Sequence, residues 1–174
     1  PADAREAAIM TRMAVEFDGP VYLRTVRCAV PTIFGEDHTL PFGKAVHVKK
    51  GADITIISTG MMTPKALDAA TQLEAQGIAV NLLHIPFIKP MDKEAILEAA
   101  QATKNIVTVE NHSVIGGLGS AVCEVVAEEG VPCRVHRIGF QDIFLESGDD
   151  EELFTKYGMN TGNIVQKVKG ILKV

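Results

Sequence analysis

From Ile54 onward, β-rich runs alternate with amphipathic stretches, and this alternation limits the fold more than any other feature of the sequence. Ile54–Ser58, Ala79–His84, Ile106–Glu110 and Arg134–Ile138 read as strands. One helical segment separates each from the next: about Thr63–Gln76, Asp92–Ala102 and Gly117–Glu129. Strands joined by single helices run parallel, and their right-handed crossovers place helices on both faces of the sheet. The expected fold class is therefore α/β, a three-layer domain with a mainly parallel sheet. Ala45–Val48 is also β-rich and is separated from Ile54 only by Lys49–Asp53. A connection that short joins an antiparallel pair. Ala45–Val48 is thus expected as one antiparallel edge strand, paired with Ile54–Ser58.

Local signals set the ends of elements. Thr63 reads as a helix N-cap with Pro64 at the first helical position, and Gly77 closes that helix. Two further helices are expected at Asp150–Tyr157 and Thr161–Leu172. Upstream, Ile9, Met13 and Phe17 fall four apart on one stripe, which predicts a helix over the first seventeen residues. Asp18-Gly19-Pro20 stops it, and Pro20–Val26 alternates as a strand. Cys28–Gly43 holds Pro31, Gly35, Pro41 and Gly43 without a steady period and reads as a linker. The expected organisation is 1–27, a remnant of a preceding domain; 28–43, a linker; and 44–174, the main domain. A lone helix-strand unit builds no core of its own.

Composition removes several classes of function. Lys and Arg number 17 against 22 Asp and Glu, a formal charge of −5, which argues against a broad nucleic-acid footprint. With no Trp and two Tyr, there is no aromatic platform for single strands. No apolar run approaches the length of a bilayer crossing. Cys28, Cys123 and Cys133 are odd in number and widely spaced, so a disulfide framework and a zinc ribbon are both poor readings, and reduced thiols of a cytoplasmic protein fit.

The most conspicuous stretch is Glu110–Ser120, with Gly116, Gly117 and Gly119, at the carboxyl end of a strand and leading into a helix. Ligand sites in parallel sheets lie at such ends, and free N–H groups at a helix start hold anions. As a dinucleotide fingerprint it fails, because the third glycine would fall at Val122. No Gly-Lys-Ser/Thr completes a Walker pattern, and no G-x-S-x-G elbow surrounds Ser113 or Ser120. The alternative is a tight turn that packs closely on the sheet. Glu110 and His112 share one face of a regular strand, where they either pin the turn or dock it on another subunit. Arg24 and Arg27 stand at the end of a strand before an irregular segment, and guanidinium forks there suit phosphate or carboxylate. The plainer reading is surface ion pairs. His38, His47, His84 and His136 are scattered singly and read as ordinary architecture.

Taken in order, several stretches resemble the thiamine-diphosphate-dependent transketolase family, most closely the C-terminal subunits of split bacterial transketolases. They are Tyr22-Leu23-Arg24-Thr25-Val26-Arg27, Pro41-Phe42-Gly43-Lys44-Ala45, Ile56–Gly60, Ile88-Lys89-Pro90-Met91-Asp92, the Glu110–Ser120 turn, Gln141–Gly148 and Glu152–Gly158. The resemblance implies that 1–27 closes a pyrimidine-binding domain and that 44–174 is a transketolase C-terminal domain. It also implies that Arg27 contacts the phosphate of a sugar-phosphate substrate, with Arg24 as a neighbour of weaker claim. Thiamine diphosphate and Mg²⁺ would serve the full enzyme and bind elsewhere, since the Gly-Asp-Gly motif and the activating glutamate are missing here. The chain alone would then be inactive. Its implied partners are a second copy, as a homodimer, and an N-terminal cofactor-binding subunit. Glu110, His112, Gly116, Gly117 and Gly119 would form an interface turn. Within the family, the alternatives are 1-deoxy-xylulose-5-phosphate synthase or a 2-oxoacid dehydrogenase β-subunit. From another class, the alternative is a non-catalytic assembly module.

Overall fold

The computed structural model describes residues 1–174. In chain order the elements are α1 (Ala4–Glu16), β1 (Val46–Lys49), β2 (Ile54–Ser58), α2 (Met62–Glu74), β3 (Val80–His84) and α3 (Lys93–Thr103). They continue as β4 (Asn105–Ser113), α4 (Leu118–Glu128), β5 (Arg134–Phe140), α5 (Asp150–Lys156) and α6 (Thr161–Leu172). One five-stranded sheet has the order β1-β3-β2-β4-β5. β3, β2, β4 and β5 are parallel neighbours, and β1 is antiparallel to β3. Every residue of the central strand β2 is buried, as expected where helices cover both faces of a sheet. Ile54 and Ile56 join a core with α2 and α6, while Ile57 faces a second core with α3 and α4. The three-layer α/β architecture is the one the alternation predicts.

The edge strand differs in its partner. β1 pairs with β3, Val46 opposite His84 and His47 opposite Leu83, rather than with β2. The connection crosses directly over the start of β3. A Cβ on Gly51 would lie 2.4 Å from the carbonyl carbons of Ala79 and Val80. Ala79 N–H donates to the Asp53 carboxylate at 2.6 Å and tethers the crossing. A few residues span a strand only by such close backbone contact, which glycine alone permits.

Helix α2 also starts differently. Met61 holds the cap position without a side-chain cap bond, and Thr63 lies inside the helix. The Thr63 hydroxyl is instead 2.9 Å from Nδ1 of His84. The helix start is buried and does without a side-chain cap because Met62 and Thr63 N–H donate to the Thr59 and Gly60 carbonyls at 3.3 and 3.0 Å, which leaves the Thr63 hydroxyl for the buried imidazole.

Residues 20–26, expected as a strand, pair with no other strand. Alternation supplies the pleat, but a strand also needs a ladder partner, and none runs alongside. Residues 28–43 are irregular, as expected of a linker, yet they are held down. Ile33 and Phe34 N–H donate to Asp3 at 2.9 and 3.0 Å, Leu40 is buried, and Cys28 and Val30 pack on the α2–α6 core. No helix is long and apolar enough to cross a membrane.

Candidate functional site

The carboxyl end of β4 gathers most of the residues singled out in the sequence. Glu110 is 1% exposed. It accepts from Leu118 N–H at 2.7 Å and from Gly119 N–H at 2.8 Å. An internal carboxylate thus fills the anion-binding start of α4, complementing the helix dipole. The N–H groups that the sequence offered to a ligand anion are taken. Burial pushes the Glu110 carboxyl above its ordinary value, with the Gly119 and Leu118 N–H groups pulling the other way.

The glycines make room for this arrangement. A Cβ on Gly117 would lie 2.0 Å from the Glu110 carboxylate, and one on Gly119 would lie 2.7 Å from Thr108 Oγ1. Gly116 has φ +74, and its N–H donates to Ser120 Oγ at 2.9 Å. His112 is exposed, with Nδ1 3.1 Å from its neighbour's carbonyl Ser113 O. The register shift between Val109 and Ser113 breaks the alternation that would have put His112 beside Glu110. No three His, Cys, Asp or Glu side chains converge so as to hold a metal ion. The residues present therefore do not fit a Mg²⁺–diphosphate site, and no catalytic step falls to them through that group.

The two arginines part ways. Arg24 donates from Nη1 to Asn111 Oδ1 at 2.8 Å and from Nη2 to the Asn111 carbonyl at 3.1 Å. Asn111 directly follows Glu110, so the structure joins Arg24 to the glycine turn. Arg27 is exposed and makes no side-chain hydrogen bond or ion pair within the chain. Just beyond it, burial and the Asp150 carboxylate push the Cys28 thiol above its ordinary value. Arg27 thus stands free between two held points.

Sequence reasoning missed a second cluster. Glu6 is 0% exposed, and its Oε2 accepts from Ala2 N–H at 2.6 Å and meets His84 Nε2 at 2.7 Å. His84 leads on through Thr63 to Ser58, 3.0 Å further. His38 Nε2 lies 3.4 Å from Glu6 Oε1, and its ring stacks on Phe34 at 3.9 Å. This clasp fastens α1 to the carboxyl ends of β2 and β3. Its one local signal was Asp3, which caps α1 by accepting from Glu6 N–H at 2.9 Å. The histidines and Glu6 are too far apart in sequence to announce each other.

Burial pushes the Glu6 carboxyl up, but the His84 hydrogen bond and charge outweigh it and hold it below its ordinary value. For Asp3, burial is likewise outweighed by N–H bonds, first from Glu6 and then from Phe34 and Ile33. With folded values depressed, the unfolded chain binds more protons in acid. The stability these carboxylates supply is complete above their ordinary values and drains away as pH falls through the folded ones. Below about pH 4, hydrogen-exchange protection of α1 is expected to fall before that of β2. Simultaneous loss in both elements would count against the clasp.

Comparison with known proteins agrees with the fold. The family described as Transketolase, C-terminal domain matches residues 43–164. The chain is 39% identical over 166 residues to a 6-deoxy-6-sulfo-D-fructose transketolase subunit of Clostridium sp., covering 95% of this chain and 51% of that protein. It is 39% identical over 168 residues to the 1-deoxy-D-xylulose-5-phosphate synthase of Heliobacterium modesticaldum, covering 95% of this chain and 26% of the synthase. A solved structure described as a split gene transketolase, inactive beta4 tetramer, superposes with a TM-score of 0.93 at 43% identity. The match covers 99% of this chain and 56% of that one. The chain therefore spans about half the length of the transketolase subunits it matches, and a quarter of the synthase. On the profile match and the shared sheet topology, the chain belongs to the transketolase C-terminal domain family.

Proposed function

We propose that this chain is the C-terminal part of a split transketolase that transfers a two-carbon ketol unit between sugar phosphates. Thiamine diphosphate with Mg²⁺ supplies the ketol-transfer chemistry when bound in the whole enzyme, on an N-terminal cofactor-binding subunit. The present chain supplies scaffold for a homodimer and one substrate contact, and alone it is inactive. Residues 1–27 close a pyrimidine-binding domain, 28–43 link it onward, and the site of action is the cytoplasm.

The observation that carries this reading is Arg27. A free guanidinium three residues beyond Arg24, which is bonded to Asn111 at the carboxyl end of β4, suits a phosphate. The 43% identity to a split gene transketolase, against 39% to the synthase, supports the split enzyme over the synthase. The 39% identity to the synthase keeps it as the second reading.

Mixing the chain with an N-terminal subunit, thiamine diphosphate and Mg²⁺ is expected to restore ketol transfer from a ketose phosphate to an aldose phosphate, with none from the chain alone. Consumption of pyruvate in that mixture would favour the synthase. Arg27→Ala is expected to lower kcat/KM for a ketose phosphate by roughly 10- to 100-fold, the worth of a charge-assisted hydrogen bond. The same sugar without its phosphate is expected to react unchanged. Equal losses on both sugars would remove Arg27 from the phosphate.

A further inference from the structure

Residues 18–32 form no backbone–backbone hydrogen bond. The two bonds from Arg24 to Asn111 are their only hydrogen bonds donated by nitrogen or oxygen to the rest of the chain. Arg27 lies within this stretch, so its direction is set by very little: the Arg24 fork on one side and the packing of Cys28 and Val30 on the other. Asn111, in turn, is a firm post. It follows buried Glu110, whose carboxylate is locked to the start of α4, and it lies in β4.

We propose that Arg24 is a positioning residue. By gripping both oxygens of Asn111 it ties residues 20–27 to the carboxyl end of β4 and aims Arg27 at the substrate phosphate. This rests on the phosphate role proposed for Arg27. The fork explains why arginine stands here. Two parallel N–H groups meet a side-chain and a backbone oxygen of one residue, a geometry the single ammonium of lysine does not reproduce. An ordered approach matters because a contact held loosely loses binding energy to the entropy of ordering it. The fork uses two of the five guanidinium N–H groups. A direct role for Arg24 on the phosphate is therefore the competing account, and Asn111 separates the two, since it touches Arg24 and leaves its charge intact.

The assembled enzyme, with its N-terminal subunit and cofactor, is assayed on a ketose phosphate and on the same ketose without phosphate. The readout is the ratio of the two kcat/KM values. Asn111→Ala is expected to lower the ratio about 3- to 10-fold, and Arg24→Ala about 10-fold. The double variant is expected to be no worse than Arg24→Ala alone. The change should lie in KM for the phosphorylated sugar, with activity on the plain sugar unchanged. Arg24→Lys, which keeps the charge and reaches one oxygen, should fall between wild type and Arg24→Ala. Limited proteolysis within residues 20–27 should quicken in step with the ratio.

If Asn111→Ala leaves the ratio intact while Arg24→Ala collapses it, Arg24 is a direct ligand and the proposal is wrong. Faster proteolysis with an unchanged ratio would reduce the tie to a merely structural one and also overturn it. Failure of the Arg27 reading is separately visible, because Arg27→Ala would then leave the ratio untouched.

Discussion

Glu6→Ala is expected to cost about 3–5 kcal/mol, the range for breaking a buried, paired charge. The substitution removes the acceptor for Ala2 N–H and the partner of His84 Nε2, and it takes away the carboxylate beside His38. These groups are enclosed by α1, Phe34 and the ends of β2 and β3, so water does not replace the lost partner without the helix lifting. The signature should be regional: α1 and residues 33–40 lose hydrogen-exchange protection while the five strands keep theirs. Glu6→Gln keeps the volume and one acceptor, and should cost less, about 1–2 kcal/mol. Urea unfolding followed by circular dichroism measures both. If Glu6→Ala shifts the midpoint no more than replacement of the exposed Glu16, the clasp does not hold α1.

Gly117→Ala is expected to cost about 3 kcal/mol, combining overpacking with loss of the helix cap. The added Cβ would sit 2.0 Å from Glu110 Oε2 and 2.8 Å from Ser113 O. The carboxylate must swing away, and it then releases Leu118 and Gly119 N–H. Gly117 itself has φ −97, a value open to any residue, so the cost is one of space. Gly116 supplies the contrast. Nothing lies within 4 Å of its Cβ position, but its φ is +74, and Gly116→Ala should cost only about 1–2 kcal/mol for the left-handed backbone. The order of the two thermal shifts is the test. The reverse order would mean that these glycines serve backbone freedom rather than the carboxylate. Because Gly117 acts through Glu110, the pair Glu110→Ala and Gly117→Ala should be far from additive.

The same turn shows how far the sequence could be read. Its glycines and its place after a strand were visible, and a tight turn with close packing was one of two readings left open. Occupation of its N–H groups by Glu110 was not, because nothing local says which way a strand-end carboxylate points once the register shifts. The histidines illustrate the opposite failure. His84 ends an apolar run and looked like ordinary architecture, yet it meets a glutamate 78 positions away. The resemblance ranks Arg27 above Arg24 for a phosphate, but only the position of Asn111 shows that Arg24 is tied within the chain.

The sequence by itself determined the α/β class, the parallel sheet with one antiparallel edge, and all six helices. Those follow from short-range periodicity and from the length each crossover needs, which are properties of neighbouring residues. Tertiary structure alone decided that β1 lies beside β3, that residues 20–26 stay unpaired, that Thr63 serves His84 instead of capping α2, and which arginine is tied and which is free. Each of these depends on which distant group competes best for one hydrogen bond or one gap in the packing, and that competition exists only after the chain has folded.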